Sequence, residues 1–214
     1  GAPHIRFYAG CPLHTEEGFR IGTLCLIDSA PRHFPAKDVQ LLRDLAALVE
    51  QQLQSLSLAT TDELTRIPNR RGFQMLAEQM LAASRRADLY GSLLAFDLDK
   101  FKQINDSCGH EAGDRALKEF ARCLLLTCRD SDVVGRIGGD EFCALLCDTN
   151  APDTQAFIER LQQRVATVNA SRSGAPPIEF SVGVASFTAG EDKKALDVLL
   201  AEARPDRTLF DEIH

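Results

Sequence analysis

Residues 136–142 read Arg-Ile-Gly-Gly-Asp-Glu-Phe, a glycine pair followed at once by two acids. Strand-like apolar residues flank this stretch, Val133 and Val134 before it and residues 142–146 after it. The glycines permit a tight bend and a close approach to a bulky ligand, because neither carries a Cβ. The pattern predicts a β-hairpin with Asp140 and Glu141 at its tip. Gly-Gly-Asp alone is a common turn, so its meaning depends on the rest of the chain.

A second acidic position ends an apolar run upstream. Residues 93–99 read Leu-Leu-Ala-Phe-Asp-Leu-Asp, which is typical of a buried strand that delivers carboxylates at its exit. Residues i and i+2 of a strand share a face, so Asp97 and Asp99 are predicted to point the same way. Crowded carboxylates suit a hard cation such as Mg²⁺, which takes one or two of them together with substrate phosphates. A solvated strand end is the alternative, but the nearby acidic turn favours a metal site.

The segment 101–114, Phe-Lys-Gln-Ile-Asn-Asp-Ser-Cys-Gly-His-Glu-Ala-Gly-Asp, has the composition of a loop between helices. Asn105 and Asp114 suit recognition of a guanine edge, because an amide both donates and accepts and a carboxylate accepts from N–H groups. Lys102 is suited to a phosphate contact as a point charge. The structural alternative makes Asn105 a cap and Asp114 the start of a helix over Arg115–Leu126.

Together these segments resemble the GGDEF domain of the diguanylate cyclases. The resemblance rests on residues 96–106, 109–114 and 138–142, and on Asp-Glu-Leu-Thr-Arg-Ile-Pro-Asn-Arg-Arg at 62–71, which looks like the opening of that domain. Four collinear motifs are far more specific than any one of them. The likeness implies an α/β fold of the α+β type, a ferredoxin-like palm sheet flanked by helices. It divides the chain into residues 1–58 and a cyclase domain at 59–214.

The resemblance also implies a reaction and its residues. The family joins two GTP molecules into cyclic di-GMP and releases two pyrophosphates, each 3′-hydroxyl attacking the other nucleotide's α-phosphate. By motif position, Asp97 and Asp140 hold Mg²⁺ or Mn²⁺ with the help of the Leu98 carbonyl, and Glu141 assists metal binding or hydroxyl deprotonation. The remaining positions contact GTP: Asn105 and Asp114 at guanine, Lys102 near the phosphates, and Gly138 and Gly139 where the nucleotide needs room.

An Arg-x-x-Asp sequence precedes the glycine pair. Arg129-Asp130-Ser131-Asp132 is separated from Gly138 by five residues and resembles the inhibitory site at which this family binds its dimeric product. The forked donors of an arginine can contact guanine O6 and N7 or a phosphate. Arg160, from the helix expected after the acidic hairpin, is the candidate second arginine. The alternative is a charged turn between a helix and a strand.

The C-terminal part departs from the family pattern. Active members usually end with Ala-Asp-x-Ala-Met/Leu-Tyr and a nearby lysine that contacts phosphates. This chain reads Ala-Glu-Ala-Arg-Pro-Asp-Arg-Thr-Leu-Phe at 201–210, in which Pro205 is expected to kink or stop the helix. Arg207 is a possible substitute for the lysine. The tail therefore predicts either weakened catalysis or a variant ending.

The first sixty residues predict a hairpin and a helix. Strand-like runs at 5–10 and 16–28 surround a polar connection, and from Ala36 apolar residues recur at helical spacing for about twenty residues. This segment resembles the C-terminal half of a GAF sensory domain followed by a signalling connector helix, so an incomplete ligand pocket is expected. The apolar stripe of the helix either pairs with a second copy or packs on its own hairpin.

Composition excludes several classes. The net charge of −7 argues against nucleic acid as the main partner, and no apolar run is long enough for a membrane span. Seven cysteines without a Cys-x-x-Cys pair predict reduced thiols in a cytoplasmic protein. Three functions remain open: a homodimeric diguanylate cyclase, a catalytically weak receptor for GTP or cyclic di-GMP, and a structural dimerisation module.

Overall fold

The computed structural model describes residues 4–172, 175–188 and 194–205. The chain forms two compact units, Gly1–Ala59 and Thr60–His214. None of the helices within the described residues is both long enough and apolar enough to cross a membrane.

The first unit is a β-hairpin with one long helix. The strands β1 (Phe7–His14) and β2 (Arg20–Asp28) pair antiparallel, as the sequence predicted. Gly18 has φ +84° in the connection, a left-handed conformation that favours glycine. The helix α1 (Ala36–Thr60) is 25 residues long, somewhat longer than the periodicity indicated. Leu42 and Ala46 are the buried residues of this helix.

The second unit is a four-stranded antiparallel sheet in the order β4-β5-β3-β6. Together with the two helical crossovers, this order is that of a ferredoxin-like β-α-β-β-α-β fold, so the predicted fold class is confirmed. The elements in chain order are α2 (Arg70–Arg86), β3 (Gly91–Leu98), α3 (Phe101–Cys108), α4 (His110–Thr127), β4 (Val133–Arg136), β5 (Glu141–Cys147), α5 (Ala151–Ser171), β6 (Phe180–Phe187) and α6 (Leu196–Glu202).

Helices cover both faces of this sheet. Alternate residues of β3 belong to two separate cores: Leu94, Phe96 and Leu98 join the residues of α4 and α5, whereas Leu93 and Ala95 join those of α2 and α6. Every residue of β3 is therefore buried, because neither face of the strand meets solvent. The strand exit at Asp97 and Leu98 is consequently held rigidly between four helices.

The prediction of a loop over residues 101–114 is wrong. Residues 101–108 form α3, and α4 begins at His110 rather than near Arg115, so Asp114 lies inside a helix instead of at its start. Ile104, Ala112 and Gly113 are buried, and this packing outweighs the weak helix propensity of the Asn, Asp and Ser residues. Gly109 alone makes the corner, with φ +82°.

Candidate active site

The acidic turn lies between β4 and β5, as predicted. The backbone N–H groups of Ile137 and Gly138 both donate to the carbonyl of Glu141, at 2.9 and 3.3 Å. A Cβ on Gly138 would lie 2.3 Å from a carboxylate oxygen of Glu141, whereas a Cβ on Gly139 would meet no atom within 4 Å. A side chain at Gly138 would thus displace the Glu141 carboxylate, and Gly139 leaves open space beside it.

The exit of β3 lies directly beside this turn. Asp97 is paired with Glu141 in the register of β3 and β5, and the N–H of Leu98 donates to the carbonyl of Asp140 at 3.2 Å. Directly opposed residues of an antiparallel pair share a face, so the carboxylates of Asp97 and Glu141 lie on the same side of the sheet. The fold therefore brings Asp97 and Glu141 to one side of the sheet, and the Asp140 backbone next to Leu98, although the turn lies more than forty residues after Asp97 in the sequence.

Asp99 lies one residue beyond the end of β3 at Leu98. Its carboxylate binds Ser181, the residue opposite Asp97 in the register of β3 and β6, so Asp99 lies on the same side of the sheet as Asp97, as predicted. The Ser181 hydroxyl donates to the Asp99 carboxylate at 2.7 Å, and the Asp99 N–H donates to the carbonyl of Glu179. Asp99 thus ties the strand exit to β6.

An open pocket of about 130 Å³ lies on the α2 and α6 face at this point. Its polar lining consists of two acids, Asp97 and Glu141, two arginines, Arg70 and Arg204, and Gln74. The apolar lining consists of Phe73, Ala95, Phe96, Ile137, Phe142, Leu200 and Pro205. Asp140 lies next to this lining at the tip of the turn and is half-buried.

The donor set at this pocket fits a hard divalent cation. Asp97 is only 9% exposed, and it shares the pocket with the more exposed carboxylate of Glu141. Among the described residues, no group of three or more His, Cys, Asp or Glu side chains is arranged to hold a metal ion by itself. Two carboxylates in an open pocket suit Mg²⁺ or Mn²⁺, because such ions complete their coordination with water and substrate phosphates.

Two arginines brace the turn. The Arg136 guanidinium donates to the Gly139 carbonyl at 2.7 Å and to both carboxylate oxygens of Asp62, at 3.0 and 3.2 Å. Arg70 donates through Nε to the Ile137 carbonyl at 2.9 Å. Burial raises the pKa of Asp62, but hydrogen bonds from Thr65 and from Arg136, with the charge of Arg136, outweigh it and hold that pKa below its usual value.

The predicted guanine contacts lie on the α3–α4 pair. Asn105 of α3 is half-buried against Gly113 of α4, since a Cβ on Gly113 would lie 2.0 Å from Asn105 Oδ1. Asp114 is the next residue of α4 and is exposed. Lys102 is exposed in the first turn of α3. The amide of Asn105 therefore lies on α3 and the carboxylate of Asp114 on the neighbouring helix α4. The two helices approach closely at Asn105 because Gly113 has no Cβ.

The Arg-x-x-Asp residues form a compact turn after α4. The Arg129 N–H donates to Asp132 Oδ2 at 2.8 Å. Burial raises the pKa of Asp132, and the N–H and charge of Arg129 and the charge of Arg160 act in the opposite direction. Arg160 is an exposed residue of α5.

The end of α6 reaches the pocket in a way the sequence analysis did not anticipate. The helix ends at Glu202, before Pro205, as predicted. Arg204 and Pro205 then line the pocket beside Asp97. Arg207, the residue suggested as a lysine substitute, lies outside the described residues.

Five residues of the site were not predicted from the sequence: Asp62, Arg70, Gln74, Arg136 and Arg204. Asp62 and Arg70 were visible within the segment 62–71, and Arg136 stands directly before the turn. The pairing of Asp62 with Arg136 was not visible, because these two residues lie 74 positions apart in the sequence.

Comparison with known proteins gives two family matches. Residues 59–206 match the model of the diguanylate cyclase GGDEF domain, and residues 1–53 match that of the GAF domain. The chain is 30% identical over 175 residues to diguanylate cyclase DgcP of Escherichia coli, covering 75% of this chain and 51% of DgcP. It is 37% identical over 170 residues to the response regulator PleD of Caulobacter vibrioides, covering 70% of this chain and 36% of PleD.

Solved structures give the same result. The chain is similar to the coiled coil and GGDEF domain of DgcB from Caulobacter crescentus in complex with c-di-GMP, with a TM-score of 0.64, 25% identity, and coverage of 73% of this chain and 84% of that one. It is also similar to diguanylate cyclase SiaD from Pseudomonas aeruginosa, with a TM-score of 0.57, 33% identity, and coverage of 78% and 66%.

Proposed function

We propose that this chain, which belongs to the GGDEF diguanylate cyclase family, condenses two GTP molecules into cyclic di-GMP with release of two pyrophosphates. The observation that carries the proposal is the register of β3 and β5, in which Asp97 lies opposite Glu141 beside the glycine turn. Phosphoryl transfer depends on positioning and charge neutralisation more than on covalent help from the protein. Carboxylates on rigid strands contribute by holding in position the cation that neutralises the phosphate charge.

In this proposal the acids hold the divalent cation. Asp97 and Asp140 bind Mg²⁺ or Mn²⁺ together with the Leu98 carbonyl, and Glu141 lies next to them to bind metal or accept the proton of the attacking hydroxyl. A bound cation of this kind supplies charge for the phosphates and lowers the pKa of the attacking hydroxyl. Arg136 and Arg70 keep the turn in place through the backbone carbonyls of Gly139 and Ile137.

The proposal assigns guanine recognition to α3 and α4. Asn105 and Asp114 bind the base edge, Lys102 contacts phosphate, and Gly138 and Gly139 admit the nucleotide. Support comes from the open space beside Gly139 and from the packing of Asn105 against Gly113. Each site holds one GTP, so joining two requires a homodimer in which two sites face each other.

The proposed site of action is the cytoplasm, where the product serves as a bacterial second messenger. All seven cysteines are free thiols, which is in keeping with a reducing compartment. Feedback is assigned to Arg129, Asp132 and Arg160, which bind cyclic di-GMP through guanidinium forks and a carboxylate. The charges of Arg129 and Arg160 that both act on Asp132 support that grouping.

The test is a turnover assay with GTP and Mg²⁺, scored by chromatography for cyclic di-GMP, on the unaltered chain and on Asp140→Asn. We expect product from the unaltered chain and none from Asp140→Asn, with both proteins showing the same thermal midpoint. Nucleotide binding without any turnover of the unaltered chain would instead identify a receptor. Neither binding nor turnover would leave a dimerisation module.

Feedback has its own experiment. Added cyclic di-GMP should slow the unaltered chain, and Arg129→Ala should remove that inhibition while the initial rate stays the same. Asp130→Ala is the matched control, because Asp130 lies exposed within the same turn. Inhibition that is unchanged in Arg129→Ala contradicts the assignment.

A further inference from the structure

The corner between β3 and α3 has a conformation that its own sequence does not favour. The strand ends at Leu98 and the helix begins at Phe101, so Asp99 and Lys100 make the change of direction. Lys100 has φ +55°, a left-handed conformation that residues with a Cβ rarely adopt. Such a backbone persists only where neighbouring contacts hold it. The shape of this corner therefore depends on the contacts of the residues beside Lys100.

Backbone hydrogen bonds hold the corner on two sides. The N–H of Leu98 donates to the Asp140 carbonyl at 3.2 Å, and the N–H of Asp99 donates to the Glu179 carbonyl at 3.0 Å, directly before β6. In a planar trans peptide the C=O and the N–H point in opposite directions, and no peptide bond among the described residues is cis. The Leu98 carbonyl, which shares a peptide unit with the Asp99 N–H, thus points away from Glu179. Because β3 lies between β5 and β6, this direction is the side of the acidic turn.

A side-chain hydrogen bond reinforces the corner on the β6 side. The Ser181 hydroxyl donates to the Asp99 carboxylate at 2.7 Å, a distance typical of the strong bonds between hydroxyls and carboxylates. Ser181 lies on β6, opposite Asp97 in the register of β3 and β6. Asp99 is thus bound to the start of β6 through both its N–H and its side chain. Two such bonds restrict rotation of the peptide that joins Leu98 to Asp99.

The segment that receives these bonds is itself held by α5. The Asn169 side chain accepts from the Ile178 N–H and donates to the Ile178 carbonyl, both at 2.8 Å. Ile178 is 3% exposed and belongs to the core that contains residues of α4 and α5. Glu179 follows directly, so its carbonyl has a fixed position from which it binds Asp99.

We propose that Asp99 and Ser181 are positioning residues for the divalent cation, and that they act through the Leu98 carbonyl. This inference rests on the proposed function, in which that carbonyl is a metal ligand. The hydrogen bond between Ser181 and Asp99 keeps the carbonyl turned toward the acidic turn. Outer partners that orient a metal ligand typically contribute about tenfold or more to metal affinity.

The test measures how nucleotide binding depends on Mg²⁺, without turnover. The α,β-methylene analogue of GTP cannot lose pyrophosphate, so calorimetry at a series of Mg²⁺ concentrations gives the concentration at which its affinity reaches half of the full effect. We compare the unaltered chain with Ser181→Ala, which removes the hydroxyl, and with Ser181→Thr, which keeps it. Ser186→Ala is the matched control, because Ser186 is an exposed serine of the same strand and lies away from the corner.

We expect Ser181→Ala to raise the half-maximal Mg²⁺ concentration about tenfold. Ser181→Thr should restore most of the loss, and Ser186→Ala should leave the value unchanged. Asp99→Ala should match Ser181→Ala, and the double variant should be no worse than either single variant, because the two residues act as one unit.

A purely structural role would lower the thermal midpoint of Ser181→Ala and leave its half-maximal Mg²⁺ concentration unchanged. That result, or an equal rise in Ser186→Ala, would overturn the inference while the cyclase assignment stands. An unaltered chain whose binding of the analogue does not depend on Mg²⁺ would overturn the proposed function as well.

Discussion

The two units of this chain differ sharply in how much apolar surface they bury. In the first unit the buried hydrophobic residues are Leu13, Leu42 and Ala46, while the strand and helix residues Tyr8, Ile21, Leu26, Ile27, Leu41, Leu45, Leu48, Leu53 and Leu56 are exposed. In the second unit four helices cover both faces of the sheet, and two cores form. A two-stranded hairpin by itself is marginally stable at best, whereas a sheet of more strands with a packed hydrophobic face is stable on its own.

The difference shows which unit can hold catalytic side chains in fixed positions. Catalytic positioning needs side chains on a rigid element, and Asp97 stands on β3, whose other residues pack into two cores. The first unit offers no comparable rigidity within the described residues. Its exposed leucines along α1 instead suit association with another copy, which is the dimer that the proposed reaction requires.

The largest expected effect comes from removing the buried acid of the second unit. Asp97→Asn should lower the rate of cyclic di-GMP formation by about a hundredfold or more, because the proposed function makes Asp97 a direct metal ligand, whose loss exceeds the cost of losing an outer partner. Asp38→Asn, at the start of α1, is the control in the first unit and should leave the rate unchanged. Equal rates of cyclic di-GMP formation for Asp97→Asn and Asp38→Asn would contradict the assignment of catalytic positioning to the second unit.

A large effect on stability is expected at Phe120. Its side chain has no exposed surface and lies against Phe96, Phe142 and Phe180, with ring centres 5.0–6.0 Å apart. Phe120→Ala should lower the free energy of unfolding by about 3–5 kcal/mol, measured by urea titration of the second unit. A decrease in the free energy of unfolding below about 1 kcal/mol, typical of a surface substitution, would show that the core around Phe120 rearranges to fill the space left by the ring.

A smaller loss is expected from Leu42→Ala in the first unit. Leu42 is 6% exposed, but few other buried side chains surround it, so we expect a loss of about 2 kcal/mol, the low end for such substitutions. The two units should also unfold in separate steps, with Leu42→Ala shifting only the first. A single transition shifted as a whole would show that the units unfold together.

The smallest predicted effect concerns the brace between Asp62 and Arg136. Because the pKa of Asp62 is lower in the folded chain than in the unfolded one, its charge stabilises the fold above the unfolded pKa. The unaltered chain should exceed Asp62→Asn in stability by about 1 kcal/mol at neutral pH. That difference should shrink as the pH falls through the folded pKa.

Urea titrations of both proteins at several acidic pH values measure this trend. Asp88→Asn provides a control in the same unit, since Asp88 is exposed in the turn after α2. A difference that grows toward acid would mean that the ion pair does not stabilise the turn.

Much of the architecture followed from local patterns. The hairpin around Gly138 and Gly139, the buried strand leading to Asp97 and the long helix from Ala36 were all predictable, because apolar periodicity and turn residues act over a few positions. The helix at 101–108 was missed for the converse reason. Its polar residues indicate a loop, and only burial of Ile104 against the sheet unit makes a helix favourable.

The sequence by itself determined the family, the acidic turn and the acids that approach it, since these lie within short contiguous motifs. Only the tertiary structure decided that Glu141 stands opposite Asp97, that Arg136 joins Asp62 to the turn, and that Arg204 reaches the same pocket. Each of these depends on strand register or on packing between distant segments. Such contacts are fixed by the balance of the whole core, which no short stretch of residues specifies.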